Sequence, residues 1–335
     1  GFGIRSRARQ KYENEALKTL SKKDLLEIGQ EEEITIPKSY TKEKIIDKII
    51  NLTMPNEKEL KTMSKESRKP TLLLVDGHSL AFRSFYAFSK GGEGGLTTKD
   101  GVPTSVTYGF LKSLLDNCKL LSPQGLMIAF DTAEPTFRHK ADPNYKANRD
   151  VAPEIFFQDL KQLQEILRED LNLPIVTAPG YEADDVMGTL ARQASELGIK
   201  ETILLTLDND LIQLVNEQVR VYMYRPYQKD YVMYDEAKVF ERFGFEPIQM
   251  IDYKGLVGDT SDNIPGVKGI GDKGAKALIA SWGDIDHMID NLDAIEPTRT
   301  RSALEKGQAA ALSSRELATI VRDVPDLILD LGAAD

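Results

Sequence analysis

The sequence predicts an α/β fold whose centre is a mostly parallel β-sheet. Three apolar runs have the length and composition of buried strands, at residues 71–76, 126–131 and 203–208. The stretches between these runs have the apolar periodicity of helices, at about 105–120, 154–170 and 185–197. Strands that alternate with helices form a parallel sheet covered on both faces, which is the arrangement we expect here.

Residues 1–70 differ from the remainder of the chain in charge and pattern. They carry a net charge of +4, whereas the rest carries −14. Two helical patterns, at about 15–28 and 42–52, are joined by an extended link. The predicted organisation is a small helical segment, a linker, an α/β core and a final region, at residues 1–52, 53–69, 70–240 and 241–335.

The helix–extended–helix pattern of the first segment resembles the SAP and Rho N-terminal modules, which bind nucleic acid. Clustered cations favour that interpretation: Arg5, Arg7, Arg9, Lys11, Lys42, Lys44 and Lys48. The alternative is a small packing or linker segment, because short amphipathic helices are common.

Composition excludes several classes of protein and site. The 335 residues include 29% charged residues, a typical share for a globular protein, and no apolar run approaches the length of about 18 residues that a membrane helix needs. A single cysteine, Cys118, excludes an internal disulfide framework, and three widely spaced histidines argue against a Cys/His zinc site. Oxygen atoms would therefore hold any metal ion. The initial glycine indicates a fragment or a processed form.

Carboxylates follow the ends of the predicted strands. Each strand ends on an aspartate, and the carboxyl ends of parallel strands share one edge of a sheet. With the acids of three further motifs, nine carboxylates are candidate metal ligands: Asp76, Asp131, Glu182, Asp184, Asp185, Asp208, Asp210, Asp259 and Asp262. Like charges repel unless cations intervene, and hard divalent cations prefer oxygen ligands. The sequence therefore predicts a two-metal site of the kind that hydrolyses phosphodiesters; the alternative is a set of separate helix caps and solvated acids.

Cations lie between the second strand and the next long helix, at Arg138, His139, Lys140, Lys146 and Arg149. Lys146 and Arg149 are three residues apart, so a helix would place them on one face, and Tyr145 offers a ring that can stack on a base. Near the metal ions such a patch would hold the reacting phosphate. The alternative is an ordinary solvated helix face.

A glycine-rich turn precedes a helix start at residues 266–278. Backbone N–H groups at such a turn bind phosphate oxygens without reading sequence. The candidate DNA-binding residues are Gly266, Lys268, Gly269, Gly271, Lys273 and Lys276. The spacing is also that of a dinucleotide fingerprint, but no apolar strand precedes it, so a helix-hairpin-helix is favoured.

Seven motifs occur in order along the chain: VDGHS at 75–79, FD at 130–131, FR at 137–138, YKANR at 145–149, GYEADD at 180–185, TLDND at 206–210 and GDTSDNIPGVKGIG at 258–271. Together they resemble the flap-endonuclease family, and within it the 5′→3′ exonuclease domain of bacterial DNA polymerase I. The resemblance covers about 69–331 and implies a PIN-like sheet, a helical arch and a C-terminal helix-hairpin-helix. A glycine-rich insertion at 89–95 and residues 1–68 have no counterpart in that pattern.

The resemblance also implies roles for the candidate residues. It assigns a first, catalytic ion to Asp76, Asp131, Glu182 and Asp184, and a second ion to Asp185, Asp208, Asp210, Asp259 and Asp262. It places Arg138, Tyr145, Lys146 and Arg149 in the arch, in contact with phosphate. The ions would be Mg²⁺ or Mn²⁺, and a K⁺ ion could sit at the helix-hairpin-helix.

The implied activity is metal-dependent 5′→3′ exonuclease and 5′-flap endonuclease cleavage of DNA, including removal of RNA primers in replication and repair. The expected partners are DNA with 5′ ends or flaps and RNA–DNA primers. We expect a monomer without a membrane partner, in the bacterial nucleoid or, after processing, in a plastid or mitochondrion. A polymerase domain tethered in a longer protein is absent from this chain. A PIN-type ribonuclease and a non-catalytic binder of branched DNA stay open as alternatives.

Overall fold

The computed structural model of the chain describes residues 71–88, 95–225 and 230–334, together with Lys22 and residues 41–44. The chain divides into two units, Gly1–Arg68 and Lys69–Asp335. Most of the two predicted N-terminal helices, the predicted linker and residues 89–94 of the glycine-rich insertion lie outside the described residues. The sheet, the helices and the site described below lie in the second unit.

Six strands form one sheet in the order β3-β2-β1-β4-β5-β6. Their bounds are β1 Thr71–Asp76, β2 Gly125–Ala129, β3 Ile175–Val176, β4 Glu201–Thr206, β5 Val219–Arg225 and β6 Asp230–Tyr234. Only the pairing of β5 with β6 is antiparallel among the described strands. The three predicted strands are β1, β2 and β4, so the mostly parallel α/β sheet that the sequence predicts is confirmed.

Eleven described helices accompany the sheet: α1 Gly77–Phe88, α2 Ser105–Leu121, α3 Phe137–Ala141, α4 Glu154–Glu165, α5 Ala183–Glu196, α6 Glu236–Phe243, α7 Met250–Val257, α8 Asp272–Trp282, α9 Ile285–Asp290, α10 Thr298–Ala318 and α11 Leu331–Ala334. A π-helical turn, Ile166–Asp170, extends α4. The predicted helical stretches thus correspond to α2, to α4 with its extension, and to α5. No helix in the described ranges has both the length and the apolar character needed to cross a bilayer.

The alternation of side chains along β1 builds a core on each face of the sheet. Leu73 and Val75 are buried in one core with residues of α1, α2 and α4. Leu72 and Leu74 are buried in the other core with residues of α5 and the C-terminal helices. A parallel sheet buried on both faces has the continuous apolar strands that the sequence showed.

The strand order creates a crevice at the carboxyl end of β1. The chain runs outward from β1 through β2 to β3 and then returns to the opposite side of β1 as β4. Ligands of open α/β sheets bind where the strand order reverses in this way. Asp76 is the last residue of β1, and Asp131 and Asp208 follow β2 and β4 by two residues. The fold therefore brings the three strand-end aspartates to one crevice.

The N-terminus of α2 is capped by a side chain from another helix. Its N-cap residue, Thr104, makes no side-chain cap. Instead Asp159 of α4, which is 1% exposed, accepts hydrogen bonds from the backbone N–H of Val106 at 2.6 Å and of Thr107 at 3.1 Å. The Thr107 hydroxyl donates a third bond at 2.6 Å. Asp159 thus fixes α4 to α2 through donors that would otherwise be buried and unpaired.

We expect Asp159→Ala to lower the free energy of unfolding by about 2 kcal/mol or more, because it removes a buried cap and leaves two backbone donors unsatisfied. Urea titration followed by circular dichroism measures the change. As a control, Asp116→Ala removes an exposed aspartate of α2 and should cost less than about 0.5 kcal/mol. Equal effects of the two substitutions would contradict the capping role.

Candidate metal centre and arch

Asp76 is buried at the carboxyl end of β1, where it is 5% exposed. One carboxylate oxygen accepts the backbone N–H of Ser79 at 3.0 Å, and the other accepts the hydroxyl of Thr206 from β4 at 2.8 Å. Burial raises the pKa of Asp76, and the neighbouring charge of Asp131 raises it further, although the hydrogen bonds oppose this. A second carboxylate therefore faces Asp76 across the crevice.

Asp131 connects the loop after β2 to the start of α5. Its Oδ1 accepts the backbone N–H of Ala183 at 2.7 Å, and its own N–H donates to Nδ1 of His78 at 3.1 Å. The side chain keeps 43% of its surface exposed. Asp131 is thus oriented by two backbone contacts while its carboxylate stays accessible from the crevice.

Asp184 is half-buried, and it differs from the buried acids Asp76 and Asp185 because no hydrogen bond from the described residues reaches its carboxylate. It lies in the first turn of α5, after the N-cap residue Glu182. Burial raises its pKa well above the ordinary range, and the charges of Asp208 and Asp76 add to the effect. Lys146 opposes these effects only in part, so an acceptor with no donor and with like charges nearby is a favourable position for a cation.

Asp185, the next residue, does not face the crevice. It is fully buried, and its two oxygens accept four hydrogen bonds: from Nη1 and Nη2 of Arg138 at 2.7 and 2.8 Å, and from the backbone N–H groups of Glu182 and Val321 at 3.0 and 2.8 Å. Neighbouring helical residues point about 100° apart, so only one of the two aspartates can face the cluster. The expectation that Asp185 is a metal ligand is wrong for this arrangement, since its lone pairs are already used.

Arg138 is likewise a structural residue rather than the phosphate contact expected of it. It is 2% exposed. Its five N–H groups donate to Glu182, twice to Asp185, and to the carbonyls of Leu317 and Thr319, so no donor is left for a substrate. Arg138 therefore joins the arch segment, which we define as residues 130–153, to α5 and to the end of α10.

Tyr145 is also buried, and the expected stacking of its ring on a base is contradicted. It is 4% exposed and lies in an apolar cluster with Ile264 and Leu317. Its hydroxyl is 3.0 Å from Glu182 Oε2 and 3.2 Å from Asp262 Oδ2. Burial beside two carboxylates raises the pKa of Tyr145, so the hydroxyl keeps its proton and shares it between them.

Lys146 and Arg149 do reach the carboxylates. Nζ of Lys146 is 2.6 Å from Glu182 Oε1, and the guanidinium of Arg149 pairs with Asp262. The Arg149 side chain is 48% exposed. The cations of the arch segment therefore occupy the crevice, as the sequence predicts, but they are paired with the acids they accompany.

The backbone of the arch segment is docked on the loop that carries Asp259 and Asp262. The backbone N–H of Lys146 donates to the carbonyl of Asp262 at 2.9 Å, and the side-chain amide of Asn148 donates to the carbonyl of Thr260 at 2.7 Å. Lys146 has a left-handed φ of 56°, which turns its side chain toward the crevice at some backbone cost. This contact was not predicted from the sequence.

Lys254 is the functional-site residue that sequence reasoning missed. Its ammonium, with 9% of the side chain exposed, pairs with Asp210 and lies 2.5 Å from Asp259 Oδ2. Burial alone would raise the pKa of Asp259, but Lys254 and the hydrogen bonds from Ser261 lower it to about 2. The available signal was the position of this lysine, five residues before Asp259 in the sequence. The remaining predicted ligand of this group, Asp208, caps the following 3₁₀ turn through a hydrogen bond from Asp210 N–H at 2.9 Å.

The glycine hairpin, residues 266–271, follows directly after the Asp259–Ile264 loop and leads into α8. Gly266 has a φ of 62° and donates its N–H to the buried Ser314 hydroxyl at 3.0 Å. Gly269, Gly271, Lys268 and Lys273 are exposed, as a phosphate-binding role requires. Lys276 pairs with Asp272 at 2.9 Å.

Comparison with known proteins agrees with these features. Two family profiles match the chain, "5'-3' exonuclease, N-terminal resolvase-like domain" over residues 71–244 and "5'-3' exonuclease, C-terminal SAM fold" over residues 245–333. The chain belongs to the 5′→3′ exonuclease family. It is therefore a nuclease that hydrolyses phosphodiester bonds, and the resemblance seen in the sequence is confirmed.

Similar proteins include DNA polymerases I. That of Chloroflexus aurantiacus is 47% identical over 268 residues, which are 79% of this chain and 28% of the relative. That of Synechocystis sp. is 45% identical, over 78% of this chain and 27% of the relative. The chain thus spans little more than a quarter of the length of these relatives. The solved structure "Divalent metal ions (zinc) bound to T5 5'-exonuclease" is similar in fold, with a TM-score of 0.65 and 24% identity over 77% of this chain and 92% of that one.

The residues of the crevice in this exonuclease fit a divalent cation. In the conformation described, no three His, Cys, Asp or Glu side chains among the described residues converge as a ready ligand set, and Lys146, Arg149 and Lys254 are paired with several of the acids. The oxygens on offer are those a hard cation prefers, and Asp184 has no donor. Oγ1 of Thr132 and Oδ1 of Asn209, in the residues that follow Asp131 and Asp208 in the sequence, are buried and also have no partner. The donor set of the crevice, carboxylate oxygens with one lacking any donor, matches the needs of a hard divalent ion.

We expect adjacent aspartates to respond oppositely to the same substitution. In EDTA at pH 7, Asp184→Asn should raise Tm by a few degrees, at about 2–4 °C per kcal/mol, because it removes a half-buried anion that faces like charges. Asp185→Asn should lower the free energy of unfolding by about 3–5 kcal/mol, because it breaks a buried ion pair. Calorimetry of both variants measures these shifts.

The pH dependence of the Asp184→Asn effect supplies the control. At low pH, a carboxyl whose pKa is raised on folding carries its proton in both the folded and the unfolded state. The gain in stability from Asp184→Asn should therefore vanish below about pH 4 and grow as the pH rises above that value. An Asp184→Asn variant that is less stable than the parent at pH 7 would show that Asp184 has a structural partner.

Proposed function

We propose that this chain is a divalent-metal-dependent 5′→3′ exonuclease and 5′-flap endonuclease of DNA. The observation that carries the proposal is the cluster of carboxylates at the carboxyl ends of β1, β2 and β4, with Asp184 at its centre and no donor to satisfy it. Mg²⁺ or Mn²⁺ is the expected ion, because every candidate ligand is an oxygen. DNA with 5′ ends or flaps, including RNA–DNA primers, is the expected substrate.

The proposed ligand sets differ from the sequence prediction at one residue. Asp76, Asp131, Glu182 and Asp184 would hold the first ion. Asp208, Asp210, Asp259 and Asp262 would hold the second, without Asp185. When bound, a pair of divalent ions would increase the acidity of an attacking water and balance the charge of the reacting phosphate.

The residues of the arch segment supply positive charge and orientation. Lys146 and Arg149 are paired with Glu182 and Asp262, and their partial exposure lets them turn toward a phosphate that enters the crevice. A cation in that position stabilises the charge that develops on the phosphate in the transition state. Tyr145 and Arg138, being buried, keep Glu182 oriented toward the crevice.

The final region would bind the duplex beside the cleavage site. Backbone N–H groups of Gly269 and Gly271 and the side chains of Lys268, Lys273 and Lys276 are placed for phosphate contacts that do not read sequence. The same proposal includes a K⁺ ion at this hairpin and a monomeric state. It also includes a location in the bacterial nucleoid or in an organelle, and a polymerase domain in a longer protein.

The direct experiment is incubation with a 5′-flap DNA duplex and Mg²⁺, with sizing of the products. Cleavage near the 5′ end should occur in Mg²⁺ and stop in EDTA. Asp184→Ala should abolish cleavage yet leave DNA binding intact or stronger, because one repulsive charge is removed. Asp116→Ala, a surface change of the same charge, is the matched control and should cleave normally.

Three results would contradict the proposal. An Asp184→Ala variant within about tenfold of the parent rate at saturating Mg²⁺ would overturn the metal assignment. Preference for a matched RNA flap would indicate a PIN-type ribonuclease. Binding of branched DNA without cleavage in Mg²⁺ would indicate a non-catalytic binder.

We also propose that residues 1–68, with their excess of cations, tether the nuclease to DNA. Deleting them should leave the cleavage rate at saturating Mg²⁺ and DNA nearly unchanged, since both cores lie within 71–334. The deletion should weaken DNA affinity and flatten its salt dependence, because fewer phosphates are neutralised. Fluorescence anisotropy across a salt series measures both. An identical salt slope with and without the segment would exclude the tether.

A further inference from the structure

Helix α10 lies directly against the glycine hairpin. The Ser314 hydroxyl accepts the N–H of Gly266 at 3.0 Å. A Cβ added to Gly307 would lie 2.6 Å from Cγ1 of Val267, and one added to Gly269 would lie 3.7 Å from Cβ of Ala303. The hairpin therefore runs along one stripe of α10, in the direction opposite to the helix, and the absence of a side chain at position 307 permits the close approach.

The helical repeat fixes which residues of α10 flank that stripe. Successive residues of a helix are about 100° apart around its axis, so positions 303, 307 and 314 lie within about 40° of one another around α10. Leu304 and Ala311, on one side, are fully buried in the core. Arg299 and Lys306 fall about 40° and 60° to the other side of position 303, where both are exposed. The solvent flank beside the hairpin is therefore basic.

These two cations have no acidic partner among the described residues. Several cations on other helices do pair with an acid four residues away, in the pairs Lys112–Asp116, Lys161–Glu165, Arg192–Glu196 and Lys276–Asp272. Within the described ranges, Arg299 and Lys306 have neither a hydrogen bond nor an ion pair, and the same holds for Lys268 of the hairpin. The acids of α10, Glu305 and Glu316, fall on the opposite side, about 200° and 220° from position 303.

We infer that Arg299 and Lys306 form, with Lys268, a second row of contacts to the phosphate backbone of duplex DNA. The inference rests on the proposed function and adds to it a surface outside the hairpin motif. A flank with cations and no acid complements a polyanion, and the small residues Ser302 and Ala310 on that flank let a backbone approach closely. The contacts would set affinity and orientation and would not read bases.

The experiment compares full-length variants in EDTA on a 5′-flap duplex, with Kd measured by anisotropy from 50 to 200 mM KCl. The double variant with Arg299→Ala and Lys306→Ala should bind the duplex roughly tenfold more weakly at the low-salt end. The magnitude of its slope of log K against log salt should fall by about 2, because each lost phosphate contact accounts for about 0.9. Arg299→Lys with Lys306→Arg should restore the parent slope.

Arg301→Ala is the matched control on the same helix. Arg301 falls about 160° from position 303 and donates to the carbonyl of Asp293, so its loss should leave the slope unchanged. A double Ala variant with the parent slope, while the parent binds and cleaves, would overturn the inference and leave the proposed function intact. A parent chain that neither binds nor cleaves the flap would overturn both. If the double Ala variant lost as much of the salt slope on a single-stranded oligonucleotide as on the duplex, the assignment to duplex DNA would be overturned.

Discussion

The mutual repulsion of carboxylates gathered at one sheet edge is the constraint on which the rest of this structure depends. The strand order delivers Asp76, Asp131 and Asp208 to that edge, and the start of α5 adds Glu182 and Asp184. Such a cluster is unfavourable unless positive charge enters it. The protein supplies that charge from two places along the chain: the arch segment, with Arg138, Lys146 and Arg149, and helix α7, with Lys254.

The same charges shape the arch segment. Lys146 and Arg149 reach Glu182 and Asp262, and the backbone between residues 144 and 149 is hydrogen-bonded to the loop that carries Asp262. The folded position of the arch segment and the charge state of the crevice are therefore coupled. The groups that hold the arch segment in place are thus the same ones that a divalent ion or a phosphate would contact in the proposed function.

Much of this arrangement was predictable, because strand-end aspartates and parallel strands are both visible as sequence patterns. The strands β1, β2 and β4, the helices α2, α4 and α5, and the proximity of Lys146 and Arg149 to the acids follow from such patterns. The sequence could not show which way each side chain points. The spacing places Asp184 and Asp185 in one helical turn, but only packing shows that one faces the crevice and the other faces Arg138. Tyr145 and Arg138 were misjudged for the same reason, since a polar side chain in a basic segment does not reveal that it is buried. Strand β3 has two residues, too few for any periodicity.

Three buried or partly buried aspartates show how function can be separated from structure. Asp159 accepts three strong hydrogen bonds and caps a helix. Asp185 accepts four and holds a buried arginine. Both acids are satisfied by the protein, so folding alone explains their position. Asp184 receives none from the described residues, although backbone N–H groups at the start of α5 reach the neighbouring Asp131 and Asp185. A carboxylate that faces like charges and has no donor costs the fold stability, and a divalent cation bound beside it would offset that cost.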